Sequence, residues 1–247
     1  MADINVEQYL PRFPQQPLQQ IWGLVPKYND ATSIDVLPGA CMDDTDSVRI
    51  DWTLTKNKVL SGAVADTIYN IFAIKNPGTG ATDVHLDTSL VSPTLPSGFT
   101  FKRWLGWCRT DGDAEIIPAD YMGNGIGTVE MWFKARQTVA TGLGQGAYTE
   151  QTLSEWIPAG VECNALFGGI ASSGGTTAGD AYLSSDGVNL KAAFQYRQTN
   201  SGVGQTHELA NLGSHPSNFV PIVGNQIYYK RTNVTLTLLL RAIRYWR

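Results

Sequence analysis

The stretch Ser92–Asp111, SPTLPSGFTFKRWLGWCRTD, gives the clearest indication of the fold. Pro93 and Pro96 favour a short extended segment, because proline fixes its own φ and disfavours helix at the residue before it. A Ser-Gly pair then indicates a turn. The aromatic-rich run Phe99–Arg109 predicts a β-strand, and the turn-forming residues after it predict where that strand ends.

Similar strand signals flank this stretch on both sides. Between Ser47 and Thr55, polar and apolar residues alternate, which is the period-two pattern of a half-buried strand. Ile68–Lys75 is apolar enough for a central strand, and the turn at 76–80 joins it to a partner strand at 81–86. Roughly ten or more such segments, with almost no helical pattern, predict an all-β fold, an antiparallel β-sandwich or jelly roll.

The first 31 residues differ in composition from the rest. Four prolines lie between positions 11 and 26, with glutamines among them, and this spacing excludes a long helix. Apolar side chains, including Phe13 and Trp22, are too numerous for a solvated tail. We expect residues 1–31 to form an extended arm, either docked on a partner protein or packed as a strap on its own domain. Residues 32–247 then form the β-sandwich, with two lobes divided near Gly142–Gly146 as an alternative.

The composition argues against several classes of protein. The formal net charge is −4, whereas a nucleic-acid-binding protein needs a basic face. Cys41, Cys108 and Cys163 are widely spaced and form no C-x-x-C pair, so we expect reduced thiols instead of disulfides or a zinc site. The sequence shows no signal peptide and no apolar run of the roughly 20 residues that span a bilayer, so we expect no membrane insertion.

The sequence contains no motif typical of catalysis or of cofactor binding. The acidic segments Asp43–Asp46 and Asp111–Glu115 lack the ligand spacing of a calcium loop, and tight turns explain them better. The three histidines stand apart, and neither G-x-S-x-G nor a phosphate-binding loop is present. We therefore expect a non-enzymatic protein without cofactor or metal. A polysaccharide-degrading enzyme with two carboxylates is the lesser alternative.

Aromatic residues make up 10% of the chain and are the candidates for contact surfaces. A tryptophan in a β-protein is most often a core residue, but exposed Trp and Tyr also anchor subunit interfaces and stack on sugar rings. All three roles stay open for the strand tryptophans Trp104, Trp107, Trp132 and Trp156. The candidate residues for partner or glycan contact are Phe13, Trp22, Trp104, Trp107, Tyr228, Tyr229, Tyr245 and Trp246.

The stretch Ser92–Asp111 resembles a segment found in structural proteins of tailed bacteriophages and prophages. In those proteins a Leu-Pro-x-Gly-Tyr/Phe-Thr run leads into a basic pair, a glycine and an Arg-Thr-Asp turn, and the same order of residues occurs here. Trp104 and Trp107 stand where those proteins usually have less bulky residues. Three further segments are similar to other parts of the same proteins: Ile34–Ile50, Asp66–Asp87 and Ala181–Gly187.

This resemblance implies a non-enzymatic structural protein of the virion, from the tail, tail fibre or head fibre, made in the bacterial cytoplasm. Its work would be particle assembly and attachment. Its partners would be other virion proteins, contacted through the N-terminal arm, and further copies of itself, with a homotrimer favoured by the threefold symmetry of phage fibres. A carbohydrate-binding module that recognises a host surface glycan is the alternative.

Overall fold

The computed structural model of the 247-residue chain describes residues 21–123, 127–141, 147–172, 181–185, 205–207, 219–231 and 235–247. These residues form eighteen β-strands and no helix. The first nine strands are β1 (Trp22–Gly23), β2 (Pro26–Asp30), β3 (Ser33–Val36), β4 (Gly39–Met42), β5 (Arg49–Trp52), β6 (Lys56–Val59), β7 (Ile68–Lys75), β8 (Thr82–Asp87) and β9 (Phe101–Arg109). The other nine are β10 (Ala119–Gly123), β11 (Thr128–Thr141), β12 (Thr149–Thr152), β13 (Cys163–Ser172), β14 (Ala181–Ser184), β15 (Gln205–His207), β16 (Val220–Ile222), β17 (Gln226–Arg231) and β18 (Thr235–Trp246).

The paired strands of the described residues are all antiparallel, which confirms the predicted all-β antiparallel fold. The N-terminal strands form three small sheets, in the orders β1-β4-β5, β2-β3-β6 and β8-β7-β9. The C-terminal strands form a larger sheet, β10-β11-β18-β13-β15, in which β16 also pairs with β13, and a second sheet, β12-β17-β14.

Several strands occur where the local pattern predicts them, although the strand expected over 47–55 is shorter. The alternation around positions 47–55 corresponds to β5, in which Ile50 and Trp52 are buried while Arg49 and Asp51 are exposed. The apolar run at 68–75 is β7, and it lies between its hairpin partner β8 and the aromatic-rich strand β9. Both faces of β7 are covered, because the residues from Tyr69 to Ile74 are all buried, and this explains why the strand is apolar at nearly every position.

Two clusters of buried side chains hold the sheets together. The N-terminal core lies among β1–β9 and includes Ile34, Val36, Ile50, Ile71, Val84 and Leu105. The C-terminal core lies mainly among β10–β18 and includes Val129, Met131, Ala165, Phe167, Ile243 and Tyr245. The sheet β8-β7-β9 contributes side chains to both cores, so it is the layer that joins the two halves.

A β-bulge in β9 places Trp104 and Trp107 on the same face of the strand. The register between β7 and β9 shifts beside Gly106, whose φ is +146°. An extra residue in a strand reverses the alternation of side chains beyond it. Leu105 therefore packs in the N-terminal core, whereas both Trp104 and Trp107 pack against the C-terminal core.

Residues 21–31 belong to the β-structure. Strand β1 pairs with β4, β2 pairs with β3, and Ile21 and Leu24 are buried in the N-terminal core. Pro26 is tolerated because it is the first residue of a strand at a sheet edge. Residues 21–31, the last part of the expected arm, are therefore packed on the domain. The rest of the expected arm, with Phe13, and the alternative lobe division at Gly142–Gly146 lie outside the described residues.

Candidate binding surface around Trp246

Three of the expected contact residues are core residues. Trp107 and Tyr245 have no exposed surface, and Tyr229 is 4% exposed. The assignment of these three to partner or glycan contact is therefore corrected. For Tyr229 and Tyr245 the reason is the alternation of side chains along a strand, because their chain neighbours Tyr228 and Trp246 point to the opposite face. For Trp107 the reason is the bulge at Gly106.

The buried aromatic rings form one packed group. Trp104 and Trp107 stack with ring centroids 6.0 Å apart and an interplanar angle of 7°, and the Tyr245 ring lies 4.5 Å from that of Trp107. The Trp107 indole N–H donates a 2.9 Å hydrogen bond to the backbone carbonyl of Trp156. Half-buried Trp104 donates to the Asn70 side chain at 3.2 Å. These contacts give Trp104, Trp107 and Trp156 a packing role in the described structure.

Trp22 lies on the surface of the N-terminal half, in the short strand β1. It is 74% exposed, and it lines a shallow groove of about 520 Å³ together with Pro38, Arg49 and Trp52. Its strand, β1, is a two-residue edge strand, so the indole extends beyond the sheet. Trp22 is thus accessible at the surface, and its contact with a partner stays a prediction.

Trp246 is the second strongly exposed tryptophan. It is 52% exposed and lies on the outward face of the large sheet, with 52% exposed Met122 close to it. On the same face Met122, Glu130 and Arg244 lie side by side, because β10 pairs with β11 and β11 pairs with β18 in that register.

An ion pair fixes the sheet surface beside Trp246. The Arg244 guanidinium donates to Glu130 Oε1 from Nε at 2.8 Å and from Nη2 at 2.6 Å. The Trp132 indole N–H donates to the other carboxylate oxygen at 3.0 Å. The guanidinium also lies 4.2 Å from the Phe219 ring centroid. Charge-assisted bonds and ring stacking hold these groups together, so this half of the surface is rigid and its charges are balanced.

A groove of about 810 Å³ lies on the other side of Trp246. Its walls come from the loop after β12, the start of β13 and the turn between β16 and β17. In that turn Gly224 and Asn225 have φ values of +61° and +57°, as a tight hairpin turn requires. Asn225 Nδ2 donates to the Ile157 carbonyl at 2.8 Å, which anchors the turn to the opposite wall.

The groove combines apolar and polar side chains. Trp246, 63% exposed Val223 and Pro221 supply apolar surface. Within the described part of the chain, the side chains of Glu162 and Asn164 make no hydrogen bond or ion pair. The surface can therefore offer a carboxylate and an amide to a ligand without breaking existing bonds.

These groove residues were not expected from the sequence, apart from Trp246. Glu162, Asn164, Val223 and Asn225 are far from Trp246 along the chain, and they meet only because β13 pairs with both β16 and β18. The only local signal was the Gly224-Asn225 pair, which marks a hairpin turn but says nothing about what the turn faces.

The titratable groups of the described residues differ in their environments. Burial raises the pKa values of Cys41, Cys108 and Cys163 to about 12 each. Burial also raises the pKa of Asp43, but hydrogen bonds from Thr45, Val48 and Ser47 more than offset this and hold it at about 2.

The described residues contain no group of three or more His, Cys, Asp or Glu placed to hold a metal ion. Nor do they contain a helix long and apolar enough to cross a membrane.

Comparisons of the chain with protein-family models, with curated proteins and with solved structures found no match.

Proposed function

We propose that this chain is a structural protein of a tailed-bacteriophage virion, from the tail or a fibre, and that it acts in particle assembly and attachment through protein–protein contacts. One observation carries the proposal. The three N-terminal segments that resemble phage structural proteins, Ile34–Ile50, Asp66–Asp87 and Ser92–Asp111, are not scattered in space. They overlap β3–β5 and contain β7–β9, and the buried side chains of these strands supply most of the N-terminal core. The three segments that carry the resemblance therefore pack together in one core.

The exposed aromatic residues support a role in contacts. Trp22 and Trp246 project from the two halves of the molecule, and exposed tryptophan is typical of interface anchors. Under this proposal, residues 1–20 and the surface at Trp22 meet another virion protein, and further copies of the chain complete a homotrimer.

Protein analysis of purified particles tests the proposal. A bacterial strain carrying the gene as part of a prophage is induced, particles are separated on a density gradient, and their proteins are identified by mass spectrometry. The chain should co-purify with DNA-containing particles at a fixed ratio to the major capsid protein. Its recovery only from the particle-free lysate would contradict a virion role.

A capture experiment tests the attachment surface. Full-length chain with Trp22→Asp should retain less virion protein from a lysate of particles than the wild type, because a charge replaces the apolar anchor. Val91→Asp is the matched control, since Val91 is 80% exposed and lies in a different region, after β8. Equal capture by both variants and the wild type would show that Trp22 is not part of the attachment surface.

Mass photometry tests the oligomer. A homotrimer gives a species with about three times the monomer mass of 26.9 kDa. A monomer as the sole species at micromolar concentration would contradict self-assembly of the isolated chain.

A further inference from the structure

We propose that the groove beside Trp246 is a binding site for a neutral saccharide. The inference rests on the geometry of this groove alone, and it holds whether or not the chain is part of a virion.

Trp246 provides the stacking platform. About half of its surface is exposed, and its strand is fixed by pairing between Trp246 and Thr128 and by a 2.8 Å hydrogen bond from the Arg247 N–H to the Gly127 carbonyl. One face of a pyranose ring is a patch of C–H groups, which an aromatic face covers well. A rigid indole offers this area at little cost in conformational entropy.

The polar groups around Trp246 match a polyhydroxylated ligand. A sugar hydroxyl both donates and accepts hydrogen bonds, so it needs acceptors and donors close together. Glu162 supplies acceptors and Asn164 supplies both, and neither is committed to another described residue. Thr152 and Ser154 add hydroxyl groups at the rim, where they bond each other at 3.1 Å.

The charges of the groove favour a neutral ligand. Glu162 is the only charged side chain among the described residues that line it. The nearest described cation on the other side of Trp246, Arg244, is held by Glu130. An anionic ligand would face the Glu162 carboxylate, and the described lining residues include no cation to offset the repulsion.

The shape favours a small ligand over a protein partner. The groove volume of about 810 Å³ lies within the roughly 300–1,000 Å³ of small-molecule sites. A stable protein interface needs roughly 800 Å² on each partner, with a continuous apolar centre. Here the exposed large apolar side chains, Met122, Val223 and Trp246, are separated by two grooves and by polar groups.

Binding of defined saccharides by the purified full-length chain tests the proposal. The probes are maltohexaose, cellohexaose, chitohexaose and yeast mannan, with hyaluronan as an anionic comparison, measured by isothermal titration calorimetry. At least one neutral probe should bind. Trp246→Ala should weaken that binding by roughly tenfold or more, Trp246→Phe should weaken it less, and Asn164→Ala should weaken it severalfold. Trp22→Ala, which removes the other strongly exposed tryptophan, should leave it unchanged.

Three results would overturn the proposal: no binding of any neutral probe at millimolar concentration, binding of hyaluronan alone, or equal affinity of the wild type, Trp246→Ala and Asn164→Ala. Near-UV circular dichroism shows whether each variant is folded. If Trp246→Ala does not fold, Asn164→Ala still tests the groove. The particle experiment has a separate readout, so failure of the virion role and failure of the saccharide site are distinguishable.

Discussion

Arg247 Nη1 donates a 2.8 Å hydrogen bond to the backbone carbonyl of Leu24, 223 positions earlier in the chain. Nη2 of the same guanidinium donates to the Gly23 carbonyl at 3.1 Å. Burial lowers the pKa of Arg247, but the group stays charged at neutral pH. The two carbonyls therefore accept bonds from a partly desolvated cation, and this joins β1 to the end of β18.

Removal of this clamp should destabilise the first strands. Arg247→Ala leaves two carbonyls without their charged donor, and we expect it to lower the free energy of unfolding by about 2 kcal/mol. Trypsin should cleave earlier at Lys27, which lies in the adjacent strand β2. Urea unfolding and limited proteolysis measure both effects. Arg49→Ala is the control, because Arg49 is exposed and its 3.6 Å ion pair with Asp51 should contribute little. Equal stability of both variants and the wild type would show that the Arg247 hydrogen bonds do not stabilise the first strands.

A second prediction concerns Gly106 and Tyr245. A Cβ added at Gly106 would lie 2.1 Å from Tyr245 Oη, at a φ of +146° that side chains rarely adopt. Gly106→Ala should therefore destabilise the protein by about 2–4 kcal/mol, through overpacking and backbone strain. Tyr245→Phe alone should cost about 1 kcal/mol or less, since its hydroxyl makes only a 3.4 Å hydrogen bond to Leu105.

The double variant shows whether the hydroxyl causes the clash. Gly106→Ala with Tyr245→Phe should be less destabilised than the sum of the single variants, because the nearest atom is gone. Full additivity in urea unfolding would mean that backbone strain alone explains the glycine.

A third prediction follows from the lowered pKa of Asp43, which is about 2. The folded state keeps the carboxylate charged where the unfolded state takes up a proton, so ionised Asp43 stabilises the fold above its ordinary pKa of 3.8. This contribution, about 2 kcal/mol, is lost as the pH falls from about 4 to about 2. Asp43→Asn should therefore lower stability clearly at pH 7 and much less near pH 2.

Urea unfolding of the wild type and the variant at both pH values measures this difference. Asp113→Asn, which removes a charge from an exposed turn, should change stability little at either pH. An Asp43→Asn effect that is the same at both pH values would contradict the role of ionised Asp43.

A fourth prediction concerns the thiols. Burial raises the pKa values of Cys41, Cys108 and Cys163 to about 12, so almost none is thiolate at pH 8. Ellman's reagent should react with the native protein at least about a thousandfold more slowly than with the urea-unfolded chain, which should show all three thiols. Rapid reaction of one thiol in the native protein would show that its site opens easily.

The proposed saccharide site and the proposed virion role rest on different observations. The virion role rests on a resemblance in sequence, which the structure gathers into one packing unit. The saccharide site rests on residues 152–164, 221–225 and 246, which no sequence pattern connects. Pairing between distant strands brings them together, and neighbouring residues in the sequence do not reveal that pairing.

Local sequence patterns were sufficient for the fold class and for many strands. Alternation around Ile50, the apolar run at 68–75 and the turn after it depend on neighbouring residues alone, because strand geometry has a period of two. These patterns were right about which residues of β5 are buried.

The orientation of the aromatic residues needed the tertiary structure. Tyr245 and Trp246 are adjacent, and the sequence does not say which one faces the core. Trp104 and Trp107 are three positions apart and would face opposite sides of a regular strand, but the bulge at Gly106 places both on one face. The sequence by itself therefore determined an all-β chain with aromatic strands. Only the packing of distant strands decided which of those rings became core and which, at Trp246, remained beside a groove.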